Sequence, residues 1–549
     1  MESPFGSYIG TNYAPSAGEL RQIFHFLKDP LDRLSSLDRE IAHVAATLSH
    51  LQSERHVLQQ FVDAHQALTH PIRRIPLEIL LDIFAACLPT HRNPVMSTAD
   101  APLLLGRVCS SWRQISTTTP TLWSRLHIVE PGLPCQSLEA ASVDHGTAND
   151  AESARSDFEA RMRLRVDAVK LWLHRSGEAP LSLSLLCNTD LRSDGESAIL
   201  EVLLAVRHRW ERIELAGHLS MRQLQEDWGS DDVGQLQSLR LIIDRAPVSN
   251  RISQWGKLNL LRAPQLRELH IVGDTVWLLP LRLPLKWDEL IELNLEVSVT
   301  ANISSAVLQD ILKLCPRLKT LRSWAWDGKP RLESGGILTH HALETLDLHY
   351  TRGQRLLVSL ERLCGRTRFP NLRNFRFSGY TDEQVHFDFA PFILACTRLE
   401  SVHVGIDLFS KTTLEEFLIS LPPTLCSLCI TESRIYDRNL NVFDKDALSL
   451  LVPTQTSPIP CCPGLQSFTV GPCVRFSGAS LLSFIRSRMT STTSVPLKHV
   501  SIAFPGVIKK DILLALQNFV AAGLNVDIQH KAELSADNMF TPWTGITVK

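Results

Sequence analysis

At 549 residues the chain exceeds what one compact core holds, and its composition, 44% hydrophobic and 21% charged, suits a globular protein with a large apolar interior. A formal net charge of −2 argues against a protein built mainly to neutralise nucleic-acid phosphates. No apolar run approaches the roughly 18 residues that span a bilayer. Met1 to Ser16 lacks a basic stretch followed by an apolar one, so no export signal is read and the twelve cysteines are expected as reduced thiols in the cytoplasm or nucleus.

Residues 1–33 read as a polar, flexible leader. A heptad follows through Leu34, Leu37, Ile41, Val44, Leu48, Leu51, Arg55, Leu58 and Val62, and eight of these nine positions are apolar. Alternate spacings of three and four mark one narrow seam on a helix over 34–69. That seam can pair with a second copy in a coiled coil or pack back on its own chain. His70-Pro71 ends the helix, because the proline ring disfavours helical geometry in the residue before it. A second helical block, Leu77 to Leu88, is polar only at Glu78 and Asp82, so nearly every side of it must be covered. Pro89 to Asp100 looks like an inserted loop. Residues 131–157 are small and polar without periodicity and read as a linker or disordered loop.

From Phe158 to the end, 158–549, the pattern becomes a repeat. Leu-x-x-Leu-x-Leu segments recur at Leu236/Leu239/Leu241, Leu266/Leu269/Ile271, Leu290/Leu293/Leu295 and Leu343/Leu346/Leu348, then at Leu372/Phe375/Phe377, Leu399/Val402/Val404 and Leu425/Leu428/Ile430, and on to Leu497/Val500/Ile502. Trp210/Ile213/Leu215 is a weaker early copy, Leu318/Leu321 an incomplete one, and Leu181/Leu183/Leu185 an early strand. The final pair of each unit has strand period two. Helix-like stretches such as Val307/Ile311/Leu314 and Ile512 to Phe519 lie between units. One strand and one helix per 25 to 30 residues predicts a leucine-rich-repeat solenoid whose units must stack to bury their apolar faces. Strand alternation turns Arg240, His270, Asn294, Asp347, Arg376 and His403 to the concave side, the expected substrate-facing surface. A fragment starting near Phe158 is expected to fold without what precedes it.

Four landmarks in the helical block carry a resemblance: Ile75-Pro76-Leu77-Glu78-Ile79-Leu80, Ile83-Phe84, Val108-Cys109-Ser110-Ser111-Trp112-Arg113 and Pro120-Thr121-Leu122-Trp123. In order and spacing they resemble an F-box, spanning 71–128, of the type expanded in mushroom-forming fungi. The lead-in Pro71-Ile72-Arg73-Arg74 and the sequel Trp172-Leu173-His174-Arg175-Ser176-Gly177 resemble that group too. Ile75-Pro76 stands where most F-boxes have Leu-Pro, and Phe84 to Val108 is longer than usual. The resemblance implies a trihelical box that binds a Skp-type linker subunit and through it a cullin–RING ubiquitin ligase, with the repeat domain holding an unknown protein substrate. On that reading docking falls to Pro76, Leu80, Ile83, Phe84, Val108, Trp112, Leu122 and Trp123, with Leu80 and Trp123 as the principal anchors.

The fold class expected is therefore an N-terminal all-α part, a long heptad helix plus the trihelical box, followed by an α/β leucine-rich-repeat solenoid. Cys426 and Cys429 have zinc or redox spacing but no completing set, so no metal is expected. His340-His341 reads as a surface or loop pair, and Arg161, Arg163 and Arg165 as a solvated helix face. No nucleotide, dinucleotide or nucleophile-elbow motif occurs, so no cofactor and no catalysis by this chain are expected, nor any nucleic-acid or membrane partner. Two other readings stay open: a scaffold that binds partners without ubiquitination, and an enzyme whose site is assembled across the repeats.

Overall fold

The computed structural model describes residues 3–132, 148–187, 197–217, 219, 223–225, 229–243, 255–273, 280–297, 303–325, 336–350, 362–379, 387–431, 443–453, 459–471, 476–503 and 511–529. Its contacts divide into two units, Met1–Ile83 and Phe84–Lys549. No helix of the described residues is long and apolar enough to cross a membrane.

In the first unit helix α1 spans Ala17–Thr69. It begins well before the heptad read from sequence, because Ser16 and Glu19 form a reciprocal cap: Ser16 N donates to Glu19 Oε2 at 2.8 Å and Glu19 N to Ser16 Oγ at 3.5 Å. Half of the expected leader is therefore helical, with Leu20, Ile23 and Leu27 continuing the seam backward and Pro30 inside the helix. His70 ends α1 in extended geometry, as the following proline requires. Helix α2, Leu77–Ala86, crosses the boundary between the units.

In the second unit the box contains helix α3, Ser110–Thr118, and two short 3-10 turns, Leu105–Arg107 and Pro120–Trp123. A third α-helix has no room to form, because a strand, β1, starts at Arg125. Over 71–128, where a trihelical box was expected, the elements are α-helices Leu77–Ala86 and Ser110–Thr118 and 3-10 turns Pro71–Arg74, Leu105–Arg107 and Pro120–Trp123. Strand β1, Arg125–Val129, is the first of fourteen in one parallel sheet that runs in chain order among the described residues. Next come β2 Leu181–Cys187, β3 Trp210–Gly217, β4 Ser238–Ile243, β5 Glu268–Gly273, β6 Glu292–Val297 and β7 Thr320–Ala325. The sheet continues through β8 Thr345–Tyr350, β9 Asn374–Gly379, β10 Ser401–Gly405, β11 Ser427–Thr431, β12 Ser467–Val470, β13 His499–Ala503 and β14 Asn525–Gln529.

Every strand read from the repeats is present, and its alternate residues, such as Leu269/Ile271 and Phe375/Phe377, are buried. The architecture is a solenoid-like α/β repeat. The connections differ along it. Between β3 and β6 they carry 3-10 turns such as Asn259–Arg262, with Leu260 and Leu261 buried, whereas helices Ser305–Leu314, Lys411–Ser420 and Gly478–Thr490 serve later units. Gly217 and Gly273 end β3 and β5 at φ +90° and +117°, where a Cβ would lie about 2 Å from the carbonyl oxygens of Cys187 and Ile243. Only glycine fits there.

Strand pairing crosses the expected boundary at Phe158. β1 belongs to the box by sequence yet pairs along its whole length with β2, Leu126 opposite Leu183 and Ile128 opposite Leu185. Helix α4, Ala148–Arg175, takes up the last third of the expected linker; residues 133–147 lie outside the described ones. Trp123 is 2% exposed, meets Trp172 of α4 edge to face at 4.7 Å, and carries the Arg175 guanidinium 4.5 Å from its ring centre. The inserted loop is docked as well. Asp100 holds Arg92 at 2.8 Å and Val95 N at 3.1 Å, His127 N donates to Pro94 O at 2.8 Å, and Asn93 reaches Ser184 Oγ at 3.2 Å. It covers the otherwise open edge of β1 with one parallel bridge, Val95 to His127.

Two consequences can be measured. Trp123→Ala should lower stability by about 3–5 kcal/mol, read as a reduced denaturation midpoint, because it empties a packed aromatic site. A fragment starting at Phe158 should aggregate, since it bares the edge of β2 and the Trp172 ring, whereas one that retains Phe84 onward should stay soluble. A soluble, cooperatively unfolding 158–549 fragment would restore the boundary read from sequence.

Candidate functional site

Two surfaces were expected to act, and the structure sorts their residues. On α2 the side chains at Pro76, Ile79 and Ile83 recur at helical spacing and are exposed, with Leu77 beside them. Leu80 and Phe84, one turn apart on another stripe, are buried. In the second unit Phe84 packs on Trp112 at 4.8 Å, Trp112 is half-buried, and Val108 is exposed. Leu122 and Trp123 are core residues, and the Trp123 indole N–H donates to Ser116 O at 2.6 Å. Of the eight docking residues read from sequence, burial therefore removes Leu80, Phe84, Leu122 and Trp123 from the surface. Aromatic and leucine anchors fill a core as readily as an interface, and spacing alone does not separate the two.

On the sheet, pairing registers bring the six expected concave residues into one continuous row. Arg240 lies beside His270, which lies beside Asn294; Asp347 lies beside Arg376, and Arg376 beside His403. Arg322 of β7 closes the gap between Asn294 and Asp347, and Glu214 of β3 precedes Arg240. Sequence reading missed Arg322 because the third inward position of its repeat is Ser323, buried where the pattern requires leucine. Two residues further along their strands, exposed Trp324 lies beside half-buried His349 with ring centres 5.3 Å apart. Asn294 is only 4% exposed, lying between the longer His270 and Arg322, and its amide donates to Glu296 Oε1 at 2.8 Å. It is part of the support of the row rather than of its reach.

Two of the three arginines in the row lie beside a carboxylate of the adjacent strand. Arg240 lies 3.9 Å from Glu214, and Arg376 lies 3.8 Å from Asp347. Burial raises the Glu214 and Asp347 carboxyls above their ordinary range, against the pull of those arginines. Burial, with Arg240 and Arg322 nearby, lowers His270 to about 4, and burial with Arg376 lowers His403 to about 4. Both imidazoles are neutral at physiological pH, so the 3.4 Å approach of His270 to Glu292 is no ion pair there. His403 Nε2 shares a hydrogen bond with Thr431 Oγ1 at 2.9 Å. Among the described residues the face is thus a lane of side-chain donors and acceptors in which Arg240 and Arg376 are each set beside a carboxylate.

Two other sequence features resolve. His340 is buried and its Nε2 donates to Cys315 O at 2.8 Å, which corrects its reading as a surface residue. Cys429 belongs to the same row in β11, beside His403, with its thiol pushed up to about 11 by burial. No group of three or more metal-ligating side chains occurs among the described residues.

No protein-family model and no curated protein matches the chain. Among solved structures it is similar to one described as "Crystal structure of Rad7 and Elc1 complex in yeast", at 12% identity and a TM-score of 0.31, over 69% of this chain and 86% of that one.

The neutral histidines set a pH dependence. Above about pH 6.5, the ordinary histidine value, folded and unfolded chains are alike at these sites. Between there and about 4 the unfolded chain takes up protons that folded His270 and His403 refuse, so stability falls as pH falls. Glu214 and Asp347 act in the opposite sense, which makes the double substitution His270→Gln, His403→Gln the readout. It should flatten the decline of the urea midpoint between pH 6.5 and 4; an unchanged slope would show that neither imidazole is held neutral.

Proposed function

We propose that this chain is the non-catalytic substrate-recognition adaptor of a Skp–cullin–F-box ubiquitin ligase. The exposed apolar stripe Pro76, Ile79 and Ile83 on α2, with Leu77, docks the linker subunit. A protein substrate lies on the solvent face of the sheet, on Arg240, Arg322, Asp347, Arg376 and His403 with Trp324 as an aromatic anchor. The observation that carries this reading is the exposure of large aliphatic side chains on α2, with Leu77 at 54%, Ile79 at 51% and Ile83 at 38%; Ile83 and the neighbouring Pro76 are docking residues by the box resemblance, whereas Leu77 and Ile79 are added by their exposure. Catalysis by such an adaptor is proximity: it raises the effective concentration of substrate around an enzyme held elsewhere.

Ile79→Asp with Ile83→Asp should reduce capture of a Skp-type linker subunit by about a hundredfold or more, at about 2 kcal/mol or more for each buried anchor lost. Circular dichroism and the denaturation midpoint should be unchanged, because both residues are exposed. Undiminished capture by a folded double variant sinks the docking face. Trp324→Ala with Arg376→Glu should leave linker capture intact and abolish retention and ubiquitination of substrates caught by the wild-type chain. Capture of the linker without any cullin would identify a scaffold instead of a ligase subunit.

A further inference from the structure

Helix α1 is exposed along its seam. Leu34, Ile41, Val44, Leu48, Leu51 and Leu58 are each 55–65% exposed, although they are the apolar positions of a coiled-coil repeat. A helix of 53 residues with that stripe in water lacks the packing from which helical stability mostly comes. Its pattern says what covers it. With Leu34 as a and Leu37 as d, the repeat extends back through Leu27, Ile23 and Leu20 and breaks at three positions, Pro30 at d, Arg55 at a and His65 at d, before Thr69 ends the helix.

We infer that α1 pairs with α1 of a second copy of this chain as an antiparallel two-stranded coiled coil. In that arrangement a faces d, and one register pairs apolar a with apolar d in five successive kinds of layer, broken once by a polar one. Ile41 meets Val44 at the two-fold axis, then Leu37 meets Leu48, Leu34 meets Leu51, Leu27 meets Leu58 and Ile23 meets Val62. Two of the off-pattern positions meet each other, Arg55 against Pro30, where the break in the seam leaves the guanidinium a way to water, and His65 meets Leu20 in the outermost layers, next to the helix ends. The ends coincide as well, with the Ser16 cap level with Thr69, so no part of the helix overhangs. Antiparallel pairing sets g beside g, which brings Arg33 to Glu54 twice per dimer. A parallel pair would instead stack Arg55 on Arg55 within an apolar seam, where like charges without water are costly. The contact is isologous, the same surface on both copies, so it closes at two and does not propagate.

Sedimentation of the full chain at roughly ten micromolar, a concentration that resolves micromolar association, should give twice the 61.5 kDa of one chain. Ile41→Asp, which puts carboxylates into both central layers, should make it monomeric. Arg33→Glu alone and Glu54→Arg alone should each raise the dissociation constant about tenfold. The double variant Arg33→Glu, Glu54→Arg should return it to within about threefold of wild type, an energy difference of about 0.65 kcal/mol. A parallel pair makes a different demand: g then faces e, Arg33 meets Asp38, and Arg33→Glu with Asp38→Arg is the pair that rescues. These side chains are exposed, so the denaturation midpoint of the sheet serves as the folding control. A monomeric wild type overturns the pairing, and failure of the Arg33/Glu54 exchange to rescue overturns the register.

Discussion

The indole of Trp123 lies between the helical box and the repeat array. Its N–H is satisfied by the last turn of α3, one face meets Trp172, and Arg175 covers the ring. Two residues later the chain is already a strand, so the direction in which Trp123 leaves the box is the direction in which β1 enters the sheet. The following strands inherit their alignment from that one, since each parallel neighbour is fixed by hydrogen bonds to the strand before it. Within the second unit, then, α3 and the first strand of the array form one body. An adaptor that works by proximity gains from this, because effective concentration falls with the freedom of a linker and is retained when the join is rigid.

The same pairing creates the candidate recognition face. In a parallel sheet without register shift, equivalent residues of successive repeats are neighbours about 4.8 Å apart. A charged residue at the centre of a Leu-x-Leu pair then meets the central residue of the next repeat, whatever the intervening loop contains. Charge compensation along the row follows from that spacing: Glu214 with Arg240, and Asp347 with Arg376, are nearest neighbours across strands. The neutral state of His270 and His403 follows too, since each stands beside an arginine of the adjacent strand on a partly desolvated surface.

How much of this was legible depends on whether a local pattern or a distant partner decides the element. The strands were legible because Leu-x-x-Leu-x-Leu states both period and inward face, and even the degenerate copy at Leu318/Leu321 forms β7. The heptad of α1 was legible, but its start was not, because Ser16 and Glu19 lie one turn outside the first clear seam residues. β1 was hidden inside the box resemblance: Leu126 and Ile128 alternate for only five residues, and what makes them a strand is β2, more than fifty residues away. The inserted loop was likewise read as a surface excursion, since its anchor, the Asn93 side chain between Ser182 and Ser184, is set by tertiary pairing. In the docking motif residue type was legible and side was not. Leu80 and Ile83 are equally apolar, and only the turn of the helix decides that one is buried and the other exposed.

Burial also separates two jobs that a leucine or tryptophan can do. Where a large apolar residue is covered by its own chain, as Trp123 is, its substitution damages everything that depends on the join, and a loss of partner binding then says nothing about contact. Where it is exposed at helical spacing, as Ile79 and Ile83 are, the free chain already bears the cost of keeping it in water, at roughly 25 cal/mol for each Å² of apolar surface. That cost is recovered only when a partner covers the stripe. Two such stripes lie among the described residues, one on α2 and one along α1, and they differ in kind. The α2 stripe is short and all aliphatic, suited to insertion into a partner of another shape. The α1 stripe is long and periodic, and in the antiparallel register its breaks at Pro30 and Arg55 face each other, as suits a surface that recognises itself.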